Sequence, residues 1–366
     1  MKFIHCSDLH LDSNMSTTFG EDIAKIRRSE LLHTFELMID YAVQNRISAI
    51  LIVGDMFDSN NISINTRETV LYKIKNNPQI NFYYLKGNHD NNNFLSNTDC
   101  IPSNIKTFGA KWGTYFESEG KISITGLELS SHNINFAYSS LHLDSKKFNI
   151  VMLHGWALER TVGDNAEIIN LKELRNKAID YLALGHIHSY KKYKLDQRGL
   201  CCYSGCLEGR NFSECGEHGF VLLDIDENNG TFTHQFIPFA QRMLYSINVD
   251  VTNCRNTSEL IDKADYNIKE SGCTKDSLIK IILKGTLDVN CSKNDEHFLS
   301  NFKNQFYFVK VEDKTTLKID NEKYVMDKSL KGEFVRQVMN DDSIQMEDKA
   351  VIIRYGLQAL EGEEIH

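Results

Sequence analysis

Short runs of apolar residues alternate with longer segments of helical spacing through the first half of the chain. Strands are expected at Phe3–His5, Ala49–Val53, Phe82–Leu85, Ile122–Thr125, Ile150–Leu153 and Tyr181–Leu184. Between them, residues 23–45 place Leu31, Leu32, Phe35, Ile39 and Ala42 on one helical face, and residues 65–75 have the same spacing. This alternation predicts an α/β fold whose strands are covered on both faces. Further strands are expected at Leu200–Tyr203, Phe220–Ile225 and Thr231–Ile237. Beyond Ala240 the pattern changes to a small α+β unit. It has strands at 244–251, 278–283 and 306–311, helices at 257–270 and 295–304, and two tail helices near 328–339 and 347–360. In the last, Val351, Tyr355 and Ala359 recur every four residues with Ile352 beside them, an apolar stripe; Phe334 and Val338 do likewise in the helix before it. Each stripe could pack on the chain's own domains or meet a partner.

The chain has 366 residues, 41% of them hydrophobic and 25% charged, which suits two or more folded domains and argues against wholesale disorder. Only three prolines occur, and no repeat or linker-like tract is evident. Asn60-Asn61 and Asn91-Asn92-Asn93 read as loops. The longest apolar run is far short of the ~18–20 residues of a membrane span. The N-terminus enters a strand without a signal-like segment, and the nine cysteines have no framework spacing. Both lead us to expect a reduced, cytoplasmic setting. Net charge is −9, with 23 basic against 28 acidic residues up to Ala240 and 18 against 22 after it. That excludes a simple module that holds nucleic acid by basic charge alone. It says less about a metalloenzyme, whose cations add charge that a residue count omits.

Five groups of metal-capable residues follow predicted strands: Asp8-Leu9-His10, Gly54-Asp55, Gly87-Asn88-His89-Asp90, His154-Gly155 and Gly185-His186-Ile187-His188. Singly, each has a bland reading as a turn or a capped strand end. Together they deliver carboxylate, imidazole and amide groups to the carboxyl ends of five strands, where α/β sheets gather ligands. Oxygen and nitrogen donors without thiolate suit Mn²⁺, Mg²⁺ or Fe²⁺, with Zn²⁺ an alternative. Asp8, His10, Asp55, Asn88, His154, His186 and His188 are too many for one catalytic ion with an open position. Two ions sharing a carboxylate would use them all, with Asp55 the natural bridge. Cys201, Cys202 and Cys206 lack zinc-finger spacing and read as strand or core residues. Cys6, beside the first group, is a candidate for oxidation, and His218 the best remaining histidine to face a substrate. No P-loop signature occurs.

These five groups, in this order over about 180 residues, resemble the calcineurin-like metallophosphoesterases, with their pattern D-x-H, GD, GNH[DE], H and GHxH. Residues 3–13, 54–58 and 183–188 look like SbcD-type DNA repair exonuclease subunits. Residues 203–219, 330–334 and 355–360 are closer to the bacterial YhaO-like group. The resemblance implies a four-layer αββα sandwich with a small α+β capping domain and C-terminal helices. Its domains would be a nuclease domain (1–240), a capping domain (241–320) and a helical docking segment (321–366). It implies two divalent ions, Mn²⁺ first. Asp8, His10 and His188 would hold one, Asn88, His154 and His186 the other, with Asp55 between them. Metal-bound hydroxide would be the nucleophile on a phosphodiester of DNA. His89 would be the general acid, and Asp58 and Asp90 would orient neighbouring groups. DNA and an SMC-like SbcC-type ATPase are the implied partners; a homodimer is admitted and no membrane is involved. A small-molecule phosphoesterase and a non-catalytic DNA-end or partner-binding module remain the alternatives.

Overall fold

The computed structural model describes the chain except residues 59–61, 91–93, 96–100, 161–164, 166, 290, 319–323 and 362–366. The two asparagine-rich tracts lie outside the described residues. Two compact units are present, Met1–Met243 and Leu244–His366.

The first unit contains two six-stranded sheets. One runs β14 (Phe232–Pro238), β13 (Gly219–Ile225), β1 (Lys2–Cys6), β2 (Ala49–Val53), β3 (Asn81–Leu85) and β4 (Ile105–Thr107). Its four strands from β1 to β4 are parallel, while β13 and β14 are antiparallel. The other runs β11 (Lys191–Lys194), β12 (Leu200–Tyr203), β10 (Tyr181–Gly185), β7 (Phe148–His154), β6 (Ile122–Gly126) and β5 (Gly113–Glu117). A parallel core, β6-β7-β10-β12, is edged by antiparallel β5 and β11. Two short parallel strands, β8 (Trp156–Leu158) and β9 (Ile168–Asn170), lie beside it in sequence.

Strand periodicity explains how one chain builds two sheets. Within β1, Phe3 and Ile4 point to opposite faces, and both are buried. Phe3, Leu51 and Tyr83 meet Ile124, Ile150 and Ala183 in a core between the sheets. Ile4, Ile52 and Phe82 instead meet Leu31, Phe35 and Met38 of the helix Glu21–Gln44, and Val70 of the helix Ile64–Lys75. On the far side, Val151, Leu182 and Tyr203 pack under Leu171 and Leu174. The result is the four-layer αββα sandwich. Edge strands β4, β5 and β11 escape the sequence reading because they are short or exposed, so their apolar pattern is weak.

The second unit holds three parallel strands, β15 (Leu244–Asp250), β16 (Leu278–Asp288) and β17 (Phe308–Lys318). The helices Thr257–Glu270 and Asp295–Lys303 make the crossovers and bury Leu260, Ala264, Phe298 and Phe302 against the sheet. The C-terminal helices Leu330–Asn340 and Met346–Glu361 fall in this same unit. There Val335, Val338, Ile353 and Leu357 pack with Val289 and Tyr324. Among the described residues, no helix is long and apolar enough to cross a membrane.

Candidate metal centre

The carboxyl ends of β1, β2, β3, β7 and β10 meet at one rim, and each contributes one of the five groups read from the sequence. The chain turns sharply there. Asp8, His10, Asp55 and His186 all have positive φ (52°, 44°, 50° and 100°), a conformation L-residues adopt at a cost. Hydrogen bonds hold these turns: Asp8 N–H donates to Gly54 O and His10 N–H to Asp55 O, at 3.0 and 2.9 Å. Four of the eleven non-glycine residues with positive φ among the described residues thus sit at this rim.

Asp55 is the centre of the arrangement. Its Oδ1 accepts the His89 N–H at 2.9 Å. Its Oδ2 lies 3.2 Å from His154 Nε2 and 3.8 Å from His10 Nε2. His154 Nδ1 lies 3.0 Å from Val53 O, which turns Nε2 toward Asp55 and toward Asn88 Oδ1, 3.2 Å away. Asp8 accepts the His186 N–H at 3.0 Å and lies 3.8 Å from His188 Nε2. Two donor sets thus come within 4.8 Å: Asp8 with His10 and His188, and Asp8 with Asp55 and His154. His186 stands beside the second set, its ring 5.4 Å from that of His154. A cleft of about 330 Å³ opens at Asn88, His154 and His186.

The residues fit a cationic group. His10 is buried, yet its Nε2 has no hydrogen-bond partner. Such an orphaned lone pair is costly unless something else satisfies it. Burial works to lower the His154 pKa, but Asp55 and Asp8 overcome it and raise it to about 9. Two buried carboxylates therefore demand positive charge at this point, and divalent cations meet that demand more fully than a proton does.

The groups around the donors are equally ordered. Burial would raise the Asp58 carboxyl, but His10, Ser13 and Arg210 hold it at about 2. Its Oδ1 is 2.8 Å from His10 Nδ1, and Oδ2 accepts from Ser13 Oγ. Asp90 serves the backbone, accepting N–H groups of Gly87, Met56 and Phe57 at 3.0–3.2 Å, so it fixes the loops that carry Asp55 and Asn88. His89 is exposed at the mouth, with its ring 5.1 Å from that of His10.

Two sequence expectations are overturned. His218 does not face a substrate: it is buried, between Glu214 O at 2.8 Å and Cys206 Sγ at 3.2 Å. Cys6 is completely buried, and burial pushes its thiol far above the ordinary value, which suppresses the reactive thiolate. Conversely, the sequence reading missed Arg210 and Glu214. Glu214 Oε1 lies 2.7 Å from His188 Nδ1, and Arg210 reaches both Glu214 and Asp58. Their Gly209-Arg210-Asn211-Phe212-Ser213-Glu214 tract carried no signal beyond family likeness, because its role depends on a return of the chain from nearly 200 residues away.

The family model for calcineurin-like phosphoesterase matches residues 1–190. The uncharacterized metallophosphoesterase YhaO of Bacillus subtilis is 26% identical over 300 residues, spanning 78% of this chain and 72% of that protein. The DNA double-strand break repair protein Mre11 of Sulfolobus acidocaldarius is 24% identical over 304 residues, spanning 79% and 76%. The crystal structure of TT1561 of Thermus thermophilus superimposes with a TM-score of 0.43 at 10% identity, over 64% of this chain and 98% of that one.

Proposed function

The chain belongs to the calcineurin-like phosphoesterases, and from that premise we propose that it hydrolyses phosphodiester bonds of DNA with two divalent cations, in the manner of the SbcD/YhaO group. The observation that supports this best is Asp55 Oδ2, which faces the inner nitrogens of both His10 and His154. One carboxylate oxygen between two imidazoles would suit a pair of cations, one held beside each ring. In this reading Asp8, His10 and His188 hold one cation, and Asn88, His154 and His186 the other. Mn²⁺ is the first choice and Mg²⁺, Fe²⁺ or Zn²⁺ the alternatives. When bound, the cations supply Lewis acidity and lower the pKa of coordinated water. The relative named as a DNA double-strand break repair protein supports DNA as the substrate, and its similarity runs over 304 residues, well beyond the 190 of the family model. Residues 241–320 would guide that substrate.

The residues divide the remaining work. The carboxylates and imidazoles would fix the cations, and His89, exposed next to Asn88, would protonate the departing oxygen. His89→Ala should keep its metal content while turnover falls ~10²–10⁴-fold. The deficit should shrink on diesters with activated leaving groups, which need no proton. An equal deficit on activated and ordinary diesters would show that His89 positions the phosphate instead. The test of the whole reading is purified protein with Mn²⁺ on linear duplex, hairpin and single-stranded DNA, beside a chromogenic phosphodiester. Cleavage of the chromogenic diester alone would leave a small-molecule phosphoesterase.

The partner of this reading is an SMC-like ATPase. On the helix Met346–Glu361, Ala350, Ile353 and Leu357 pack inward, while Val351, Ile352 and Tyr355 stay exposed. The stripe read from the sequence on this helix is therefore the outward one, whereas Val338 of the preceding helix is buried and Phe334 packs against the core. An apolar helical face of this spacing suits a partner helix. Val351→Glu combined with Tyr355→Glu should leave folding and basal diester hydrolysis unchanged and abolish co-purification with the ATPase. Retained co-purification would remove this face from the interface.

A further inference from the structure

Arg210 lies where the outer supports of two proposed ligands converge. His188 Nδ1 is 2.7 Å from Glu214 Oε1, and His10 Nδ1 is 2.8 Å from Asp58 Oδ1. These carboxylates come from chain segments more than 150 residues apart, and each addresses the ring nitrogen that faces away from the centre. The Arg210 guanidinium spans the two, with Nη2 3.0 Å from Glu214 Oε1 and Nη1 3.2 Å from Asp58 Oδ1. Nη1 also lies 3.5 Å from Ser13 Oγ, itself a donor to Asp58. The Arg210 N–H donates back to Glu214 Oε2 at 2.7 Å, so the carboxylate is held at both oxygens. The guanidinium is largely buried.

We propose that Arg210 is a positioning residue, a single clamp that sets the orientation of His10 and His188 together and thereby the affinity of one of the two cation positions. The proposal rests on the two-metal reading given above. It follows from planar geometry: a guanidinium offers rigid, divergent donors that can hold two carboxylates at a fixed separation, which an ammonium cannot. The clamp is one-sided. Both imidazoles belong to the set Asp8, His10 and His188, whereas His154, in the other set, is oriented by the Val53 carbonyl and makes no contact with Arg210. The two positions should therefore respond differently to its loss.

The sign of the effect separates this role from a purely electrostatic one. A positive charge near a cation position weakens binding, so removing the charge alone would tighten it. Removing a clamp loosens it, because outer groups that orient metal-bound histidines are worth ~10–100-fold in affinity. Mn²⁺ titration calorimetry on the full-length Arg210→Met protein, after chelator treatment, should show one of two sites weakened by ~10–100-fold and the other unchanged. Electron paramagnetic resonance at limiting Mn²⁺ should change from the spectrum of a coupled pair to that of an isolated ion. Arg210→Lys should not restore the pair. Unchanged or tighter binding, or equal weakening of both sites, would overturn the proposal. If Arg210→Met does not fold, Arg210→Gln takes its place: it too removes the positive charge and cannot span both carboxylates, and the same one-sided loss is expected. Wild-type protein that binds only one Mn²⁺ would refute the two-metal reading itself, a result distinct from failure of the clamp.

Discussion

Asp55→Ala should reduce phosphodiester hydrolysis to background and strip the protein of bound metal. The loss should exceed the ~10²–10³-fold typical of deleting one transition-state donor, because the cations themselves go with the side chain. Asp55 is 2% exposed, and its Oδ2 is the only carboxylate oxygen among the described residues placed within 4 Å of both His10 and His154. Without it, two imidazoles face each other with no anion between them, and nothing screens one cation from the other. Elemental analysis should find close to two ions per wild-type chain and a large deficit in the variant. Mn²⁺ should raise the melting temperature of the wild type and leave that of Asp55→Ala unmoved, since a ligand stabilises only the state it binds. Asp55→Asn keeps an acceptor for the His89 N–H and should fail likewise, which isolates the charge as the cause. A fully active Asp55→Ala protein would end the two-metal reading.

The largest loss of stability is expected from Glu208→Ala, at about 3–5 kcal/mol. Arg27 and Glu208 are both fully buried and joined at 2.9 Å. Arg27 Nη2 also donates to Gly209 O, and Glu208 accepts from Thr34 Oγ1 and the Gln241 N–H. Truncating Glu208 leaves a guanidinium in the core with its main counter-charge gone. Glu208→Gln keeps acceptors for Thr34 and Gln241 and should cost less. Urea unfolding of the three proteins should rank them in that order, and a loss below about 1 kcal/mol in Glu208→Ala would refute the reading. The network continues outward through Glu30, which pairs with Arg27 and Arg242 at 2.6 and 2.7 Å. Burial would raise the Glu30 carboxyl, but Arg242 and Arg27 outweigh it and hold it below its ordinary value. Because the folded value is the lower one, this support is complete above the unfolded value near ~4.3. It is lost as pH falls through the folded value. Glu30→Gln should therefore flatten the acid limb of the stability profile while leaving its slope near neutrality unchanged.

What the sequence displayed was the part governed by local pattern. Strand ends carry their ligands within a few residues, so the five groups are visible in a linear reading, and β1, β2, β3, β7 and β10 bring them together. The helices Glu21–Gln44 and Thr257–Glu270 were equally legible, because one apolar face over several turns is a long signal. Hidden residues act at a distance. Arg210 and Glu214 matter only because their loop returns to His10 and His188, and Arg27 looked like any charge on a helix until Glu208 closed over it. His218 was misjudged for the same reason: a histidine in a glycine-flanked loop carries no mark of burial.

Three glycines at the rim limit how such a centre could evolve. A methyl group on Gly54 would come within 2.0 Å of His154 Nδ1, one on Gly87 within 2.2 Å of Asp55 Oδ1, and one on Gly185 within 1.9 Å of Val53 O. Each glycine abuts a residue from a different strand, so the spacing of the inner ring is set by contacts that only hydrogen fits. Any other residue at these positions would push a ligand or its backbone support out of place, so a single added carbon disturbs the whole ring. Adjustment of the centre is left to the outer tier of Arg210, Glu214 and Asp58, whose side chains reach the outer ring nitrogens of the ligands and not the crowded interior.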